Sequence, residues 1–161
     1  MQNKMIIRTA LFKDSEELIK VIMRADNRAE ELARERVNSY IKSNKKMFLI
    51  AIIDEKIVGY VSLKKEENSD KNASKFIDLK KYSCIGWIAV LPEYRKHKIG
   101  SKMIKACWNY MRKFNKEGIW LDCRLKLIPF YEKNGYKNVG DYIDEKRKQN
   151  YIMLKEIKNE K

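Results

Sequence analysis

The chain has 161 residues, 44% of them hydrophobic, which is one ordinary domain's worth of sequence and enough to fill a core without a disulfide or structural metal. Three cysteines without C-x-x-C spacing and a single histidine exclude a conventional zinc site, and they leave only His97, inside a lysine cluster, as the base of a serine or cysteine triad. The formal charge of +14, from 36 basic and 22 acidic residues, favours polyanions such as nucleic acid, an anionic membrane or a phosphorylated cofactor, and a solvated lysine-rich surface explains it equally well.

The first four residues lack the basic-then-apolar start of a secretion signal, and no apolar run is long enough to span a membrane, so a cytoplasmic protein without a membrane partner is expected. A first strand is predicted over residues 5–10, with Asp14 or Ser15 capping a helix over 15–23 that carries Glu16 and Glu17 in its first turn. Ala29, Leu32, Ala33, Val37, Tyr40 and Ile41 recur at helical intervals and predict a second helix over 28–43. Two β-rich runs, 46–53 and 57–64, flank Asp54-Glu55-Lys56 and read as a hairpin. Residues 65–75 are polar and aperiodic, a loop inside one domain spanning 1–161.

The nearly continuous apolar run over 82–91 predicts a strand covered on both faces at the centre of a sheet. Pro92 ends it, because proline cannot donate to a ladder. A long helix follows, its buried stripe marked by Ile99, Met103, Cys107, Met111 and Phe114 at spacings of four, four, four and three. A short strand over 119–123, a short helix over 128–134 closed by Gly135, and strands over 136–139 and 151–157 complete the chain. The charged segment 141–150 is expected to separate the last two strands, and 158–161 to fray.

The stretch IAVLPEYRKHKIGSKMI, residues 88–104, carries the chemistry: a buried strand, a tight basic corner and a helix start. A helix N-terminus exposes backbone N–H groups and about half a positive charge, so the amides around 98–101 suit phosphate oxygens. Gly100 lets the backbone approach closely, and Arg95, Lys96, His97 and Lys98 add side-chain charge. Taken alone, the same residues also fit a solvated basic turn.

This stretch resembles motif A of the GCN5-related N-acetyltransferases (GNAT), V-x-P-x-Y/F/W-R/Q-x-x-G-x-G/A, through Val90, Pro92, Tyr94, Arg95 and Gly100. LIPFYEKNGY, residues 127–136, resembles that family's motif B in the expected order. Two departures stand out. Lys98 replaces the first motif glycine and Lys96 a glycine often found after the arginine, so the loop is expected to keep negative φ and wrap a phosphate in ordinary helical geometry. Arg124 falls where an asparagine often precedes motif B, so that contact does not carry over.

The resemblance implies an α/β (α+β) fold: a central mixed, mostly antiparallel twisted sheet of about seven strands flanked by about four helices. A splayed parallel strand pair, here 85–91 and 119–123, would form the acyl-CoA cleft. It implies acetyl-CoA as cosubstrate, with the pantetheine pairing to the strand at Ile88, Ala89 and Val90 and the diphosphate held by Arg95, Lys96, His97, Lys98, Ile99, Gly100 and Ser101. A backbone N–H on the same edge would stabilise the oxyanion while a neutral amine attacks directly. Tyr131 occupies the position of the tyrosine that protonates the departing thiolate; a core aromatic beside Phe130 is the structural alternative.

Asp122 and Glu93 are the candidates for the base, with no choice between them. Cys84 and Cys123 have no nameable partner base for a covalent route, and Trp87, Trp108 and Trp120 are expected in the core. Arg24, Arg28, Arg34 and Arg36 are candidates to hold an acceptor carboxylate, and Asp141, Asp144 and Glu145 a second ammonium. The acceptor stays open among small amines, amino acids and protein amines, and family members often form dimers. The competing readings are an acyl-CoA-binding regulator without catalysis and a basic nucleic-acid-binding module, the latter lacking any recognition signature.

Overall fold

The computed structural model describes residues 4–159. Strand β1 (Met5–Thr9) leads into α1 (Ser15–Ala25) and α2 (Glu30–Ile41), then β2 (Lys46–Ile53), β3 (Lys56–Lys64) and β4 (Tyr82–Val90). Helix α3 (Ile99–Lys113), β5 (Gly118–Cys123), α4 (Ile128–Lys133), β6 (Lys137–Ile143) and β7 (Gln149–Glu156) follow. The seven strands form one sheet in the order β1-β2-β3-β4-β5-β7-β6. β1 with β2, β5 with β7 and β6 with β7 are antiparallel, whereas β4 and β5 run parallel. Parallel neighbours need a crossover of a dozen residues or so, and α3 is that crossover. This is the mixed, mostly antiparallel sheet with four helices expected above.

The chain forms two compact units, each assembled from two separate stretches of sequence. One comprises the residues up to Leu63 with Trp87–Cys107, the other Lys64–Gly86 with the residues from Trp108 onward. In the first unit, α1 buries Leu18, Ile19 and Ile22 almost completely. Asp14 stands at the N-cap of α1 but does not cap it with its side chain. Its carboxylate turns back instead, accepting two bonds from the Arg8 guanidinium at 2.7 and 3.0 Å and the Leu11 N–H at 2.7 Å. The Arg8 hydrogen bond holds that buried carboxyl below its ordinary range. α2 is shorter than predicted because Asn27 takes a left-handed φ of +50° and Ala29 is extended, so helix resumes only at Glu30.

In the second unit, Leu79, Tyr82, Cys84, Trp120, Ile152 and Leu154 form the core, with Ile77, Val139 and Tyr142 packed against it. The polar segment 65–75 carries a single helical turn, Ala73–Lys75, and Asp70 fastens it by accepting the N–H groups of Asn72 and Ala73 at 3.0 and 2.8 Å. The Lys116 ammonium lies 2.8 Å from Glu66. The expected separator 141–150 is strand at both ends, since β6 runs to Ile143 and β7 starts at Gln149. Its charge misled the reading. Asp144 uses its carboxylate to accept the N–H groups of Lys146 and Lys148, both at 2.9 Å, and Arg147 takes φ of +60°, which makes a tight hairpin within the charged segment. At the end, Ile157–Asn159 forms one 3-10 turn, and residues 160–161 of the expected frayed tail, like residues 1–3, lie outside the described residues. Among the described residues no helix is long and apolar enough to cross a membrane.

β5 and β7 approach most closely at Gly118, where an added Cβ would lie 2.1 Å from the Lys155 carbonyl oxygen. Backbone cannot retreat there without breaking the β5–β7 ladder, whose pairs run from Gly118↔Glu156 to Cys123↔Tyr151. Gly118→Ala is therefore expected to lower folding stability by about 1–3 kcal/mol, read as a reduced urea midpoint at unchanged m-value.

Candidate functional site

The basic corner is built in the first unit. Where β4 stops, the Leu91 N–H donates to the Val58 carbonyl at 2.8 Å, and Pro92–Tyr94 forms one 3-10 turn. Arg95 locks this turn with its side chain: Nε donates to the Val90 carbonyl at 2.9 Å and Nη2 to the Ala25 carbonyl, at the end of α1, at 3.0 Å. All four residues of the predicted cationic cluster are exposed, and of them Arg95 serves as a strut. The His97 ring lies tilted against Tyr94 at 6.5 Å.

Lys98 overturns one expectation. It takes φ of +58°, in the left-handed region that favours glycine, rather than the negative φ anticipated for a non-glycine residue. The reason lies on either side of it. Arg95 fixes the turn before it and Ile99, 2% exposed, anchors the helix after it, so the chain must reverse at Lys98 whatever its side chain. The first turn bond of α3 is Lys102 N–H to the Lys98 carbonyl at 3.2 Å. The amides of Ile99, Gly100 and Ser101 therefore stand outside the helix's own ladder, as the first amides of any helix do. Gly100 is in helical conformation; Gly135 is the only described glycine with positive φ.

On β4, Ile88, Ala89 and Val90 are half-buried, and the Trp87 N–H donates to the Ser62 hydroxyl at 2.7 Å. Trp87 itself is half-buried rather than in the core, unlike Trp108 and Trp120, which are 5% and 2% exposed. Its ring is covered by the Arg36 guanidinium, 4.0 Å from the centroid, and tilts against Tyr40 at 5.6 Å. Arg36, 8% exposed, donates to Asp26 Oδ2 at 2.9 Å, and the same oxygen receives the Tyr60 hydroxyl at 3.1 Å. This node at the α1–α2 turn went unread in the sequence, where Asp26 has the look of an ordinary helix-end residue.

The four arginines offered for an acceptor carboxylate separate sharply. Arg24 is paired with Glu93 at 3.0 Å, Arg34 with Glu16 at 2.7 Å and Glu30 at 3.4 Å, and Arg36 is buried on Asp26. Arg28 reaches Asp26 only through Nε at 3.5 Å. Of the acidic set, Asp144 is occupied by its hairpin, by Asn150 and by Arg124 at 3.4 Å, the last being where the residue at the usual asparagine position points.

In the second unit, pairing between β4 and β5 runs from Tyr82↔Gly118 to Cys84↔Trp120, while β4 continues to Val90 and β5 to Cys123. Asp122 lies two residues beyond Trp120 and so on the same face of β5. The residue is exposed, its carboxylate accepts the hydroxyl of Tyr142 on β6, and local desolvation of the carboxyl raises its pKa above the ordinary range, against the pull of that hydrogen bond. Glu93 has the opposite setting: a backbone N–H and Arg24 hold its pKa low. Tyr142 was missed because it falls in the segment read as a separator, although it alternates with Gly140 in strand fashion. Tyr131, on α4, is 4% exposed, with its ring 5.0 Å from Phe130 and 6.0 Å from Tyr136, both edge-on. The thiols are inert by setting: burial raises Cys84 and Cys107 far above the ordinary range and pushes Cys123 up to about 11. Among the described residues no group of three or more His, Cys, Asp or Glu is placed to hold a metal.

A sequence model of the acetyltransferase (GNAT) family matches residues 14–136. An N-alpha-acetyltransferase of Saccharolobus solfataricus is 32% identical over 105 residues, 60% of this chain and 62% of that relative's length. The structure of the acetyltransferase of GNAT family from Streptococcus pneumoniae superposes with a TM-score of 0.71 at 20% identity, over 96% of this chain and 99% of that one. The PaiA N-acetyltransferase from Thermoplasma acidophilum, solved in complex with coenzyme A, gives 0.66 at 20% identity over 95% and 99%. At these identities the structural likeness concerns the fold.

The left-handed Lys98 generates a stability test. A lysine in that conformation costs about 1–2 kcal/mol, which glycine avoids while adding back part of it as unfolded-state entropy. Lys98→Gly is expected to stabilise the fold by roughly 0.5–1 kcal/mol and Lys98→Val to destabilise it by about 1 kcal/mol or more, read as shifts of opposite sign in the thermal midpoint.

Proposed function

The chain belongs to the GNAT acetyltransferase family, and from that premise we propose that it transfers an acetyl group from acetyl-CoA to a primary amine by direct attack in a ternary complex. The observation that carries the reading is the corner at 92–101, where a left-handed Lys98 ends the basic turn and the first amides of α3 begin outside the helix's own ladder. Those amides, with Gly100 offering no side chain to keep a phosphate away, would hold the diphosphate of coenzyme A. Lys96, His97 and Lys98 would add charge, and Arg95 would serve by holding the turn. Ile88, Ala89 and Val90 would present backbone groups to the peptide-like pantetheine as an added strand would find them.

When bound, acetyl-CoA supplies the activated thioester; the protein's residues do the rest. A backbone N–H of the 88–90 edge would meet the negative charge that grows on the carbonyl oxygen. Protonated alkylamines have a pKa near ~10, so one proton must leave before attack. Asp122 suits that task better than Glu93, since a carboxyl raised by local desolvation takes a proton more readily at neutral pH than one held low by a backbone N–H and Arg24. Tyr142 would fix the carboxylate's orientation by donating to it. Tyr131, at the motif B position, would donate its proton to the leaving thiolate.

The deciding experiment is a panel of amines with acetyl-CoA, followed by thiol release. Amine-dependent release supports the transferase; coenzyme A binding without release favours a regulator, and salt-sensitive RNA retention without coenzyme A binding a nucleic-acid module. Tyr131→Phe is expected to lower kcat on the order of 10²-fold at nearly unchanged coenzyme A affinity, whereas Gly100→Glu is expected to weaken coenzyme A binding itself by ~10-fold or more. Because the Asp122 pKa is raised, the base protonates and kcat/KM falls as pH drops through that raised value. Asp122→Asn is expected to remove this acidic limb from the pH profile as well as to lower the rate.

A further inference from the structure

We infer that Arg28 selects the acceptor by binding a carboxylate carried by the amine substrate, an inference that rests on the transferase reading above. The argument is one of elimination among charges. Four arginines stand on or beside α1 and α2. Glu93 neutralises Arg24, and Glu16 grips Arg34 through both terminal nitrogens, at 2.7 and 3.1 Å. Arg36 is 8% exposed, sealed between Asp26 and the Trp87 ring. Arg28 alone of the four is left with a guanidinium fork bonded to no carboxylate: its single contact is the 3.5 Å approach of Nε to Asp26, and its side chain is 46% exposed.

The local charge count points the same way. Asp26 brings one negative charge and Arg36 and Arg28 one positive charge each, and the tight 2.9 Å bond pairs Asp26 with Arg36. One positive charge remains uncompensated, on a planar donor pair whose geometry matches a carboxylate. The turn that presents it is firm. Asn27 holds a left-handed φ of +50°, Asp26 closes α1 through its N–H to the Ile22 carbonyl at 3.0 Å, and Tyr60 pins the Asp26 carboxylate from β3. Asp26 and Arg36 also connect the turn to Trp87, the residue directly before the 88–90 edge proposed to hold the pantetheine. The charged fork therefore belongs to the same unit as the strand from which the acyl group would be presented.

The test compares matched amines that differ only in charge: peptides beginning with Glu or Gln, and β-alanine against β-alaninamide. Dissociation constants are measured by calorimetry on protein saturated with coenzyme A, and turnover is followed with acetyl-CoA. In at least one pair the carboxylate member is expected to bind roughly three- to tenfold tighter, the range for a charge-assisted contact at a partly exposed site, and the advantage is expected to shrink as salt is raised. The pair that shows it identifies the source of the carboxylate, peptide or small molecule. Arg28→Gln is expected to abolish the ratio and Arg28→Lys to keep part of it, since the charge remains but the fork is lost. Arg34→Gln is expected to keep it whole. Equal binding within both pairs, or a ratio that survives Arg28→Gln, overturns the inference. Arg28-dependent discrimination without acetyl transfer to any of the amines sustains the inference about Arg28 and removes the transferase reading.

Discussion

A chain that must stop being a strand at Val90 and become a helix at Ile99 has eight residues in which to reverse, and the tie that makes the reversal rigid is the Arg95 guanidinium. It bridges the last carbonyl of β4 and the Ala25 carbonyl at the end of α1, so strand end and helix end are fixed to one planar group. With the turn held there and Ile99 buried, Lys98 is forced into the left-handed region. A basic cluster that reads in sequence as undifferentiated charge is in fact divided between one arginine that builds the corner and two lysines and a histidine that face solvent.

The same division recurs across a strongly cationic surface. Arg8 orders the entry to α1 through Asp14, Arg34 bridges α1 and α2 through Glu16, and Lys116 fastens the polar segment before β4 through Glu66. Pairs of this kind at the surface contribute little stability each, and they remove their members from service as ligands. Arg28 is the most loosely tied of the four arginines, reaching Asp26 only through Nε at 3.5 Å.

Carboxylates divide by environment rather than by position. Glu93 and Asp122 are equally eligible in sequence and both residues are exposed, yet Glu93 is held low by a backbone N–H and Arg24, while the Asp122 carboxyl, set against the Tyr142 hydroxyl, is raised by local desolvation. Burial acts in the same direction on the three thiols, where it suppresses ionisation and with it the covalent route.

Much of the architecture was legible before any coordinates. The alternation of apolar residues placed all seven strands and four helices, Pro92 marked the end of β4, and Gly135, with φ of +94°, closes α4 as its position after the helix predicts. The failures share a cause. Residues 141–150 read as a charged separator between the last two strands, whereas both strands extend into them and Asp144 closes the hairpin between. Trp87 was assigned to the core because an aromatic in an apolar run usually packs there, and α2 instead lays Arg36 over its ring. Patterns of polarity and a few conformationally special residues report on local structure, because backbone periodicity and proline or glycine geometry act within a few positions. Which arginine is tied, which carboxyl is desolvated and which lysine must turn left-handed depend on groups tens of residues away, and only the folded chain brings those groups together.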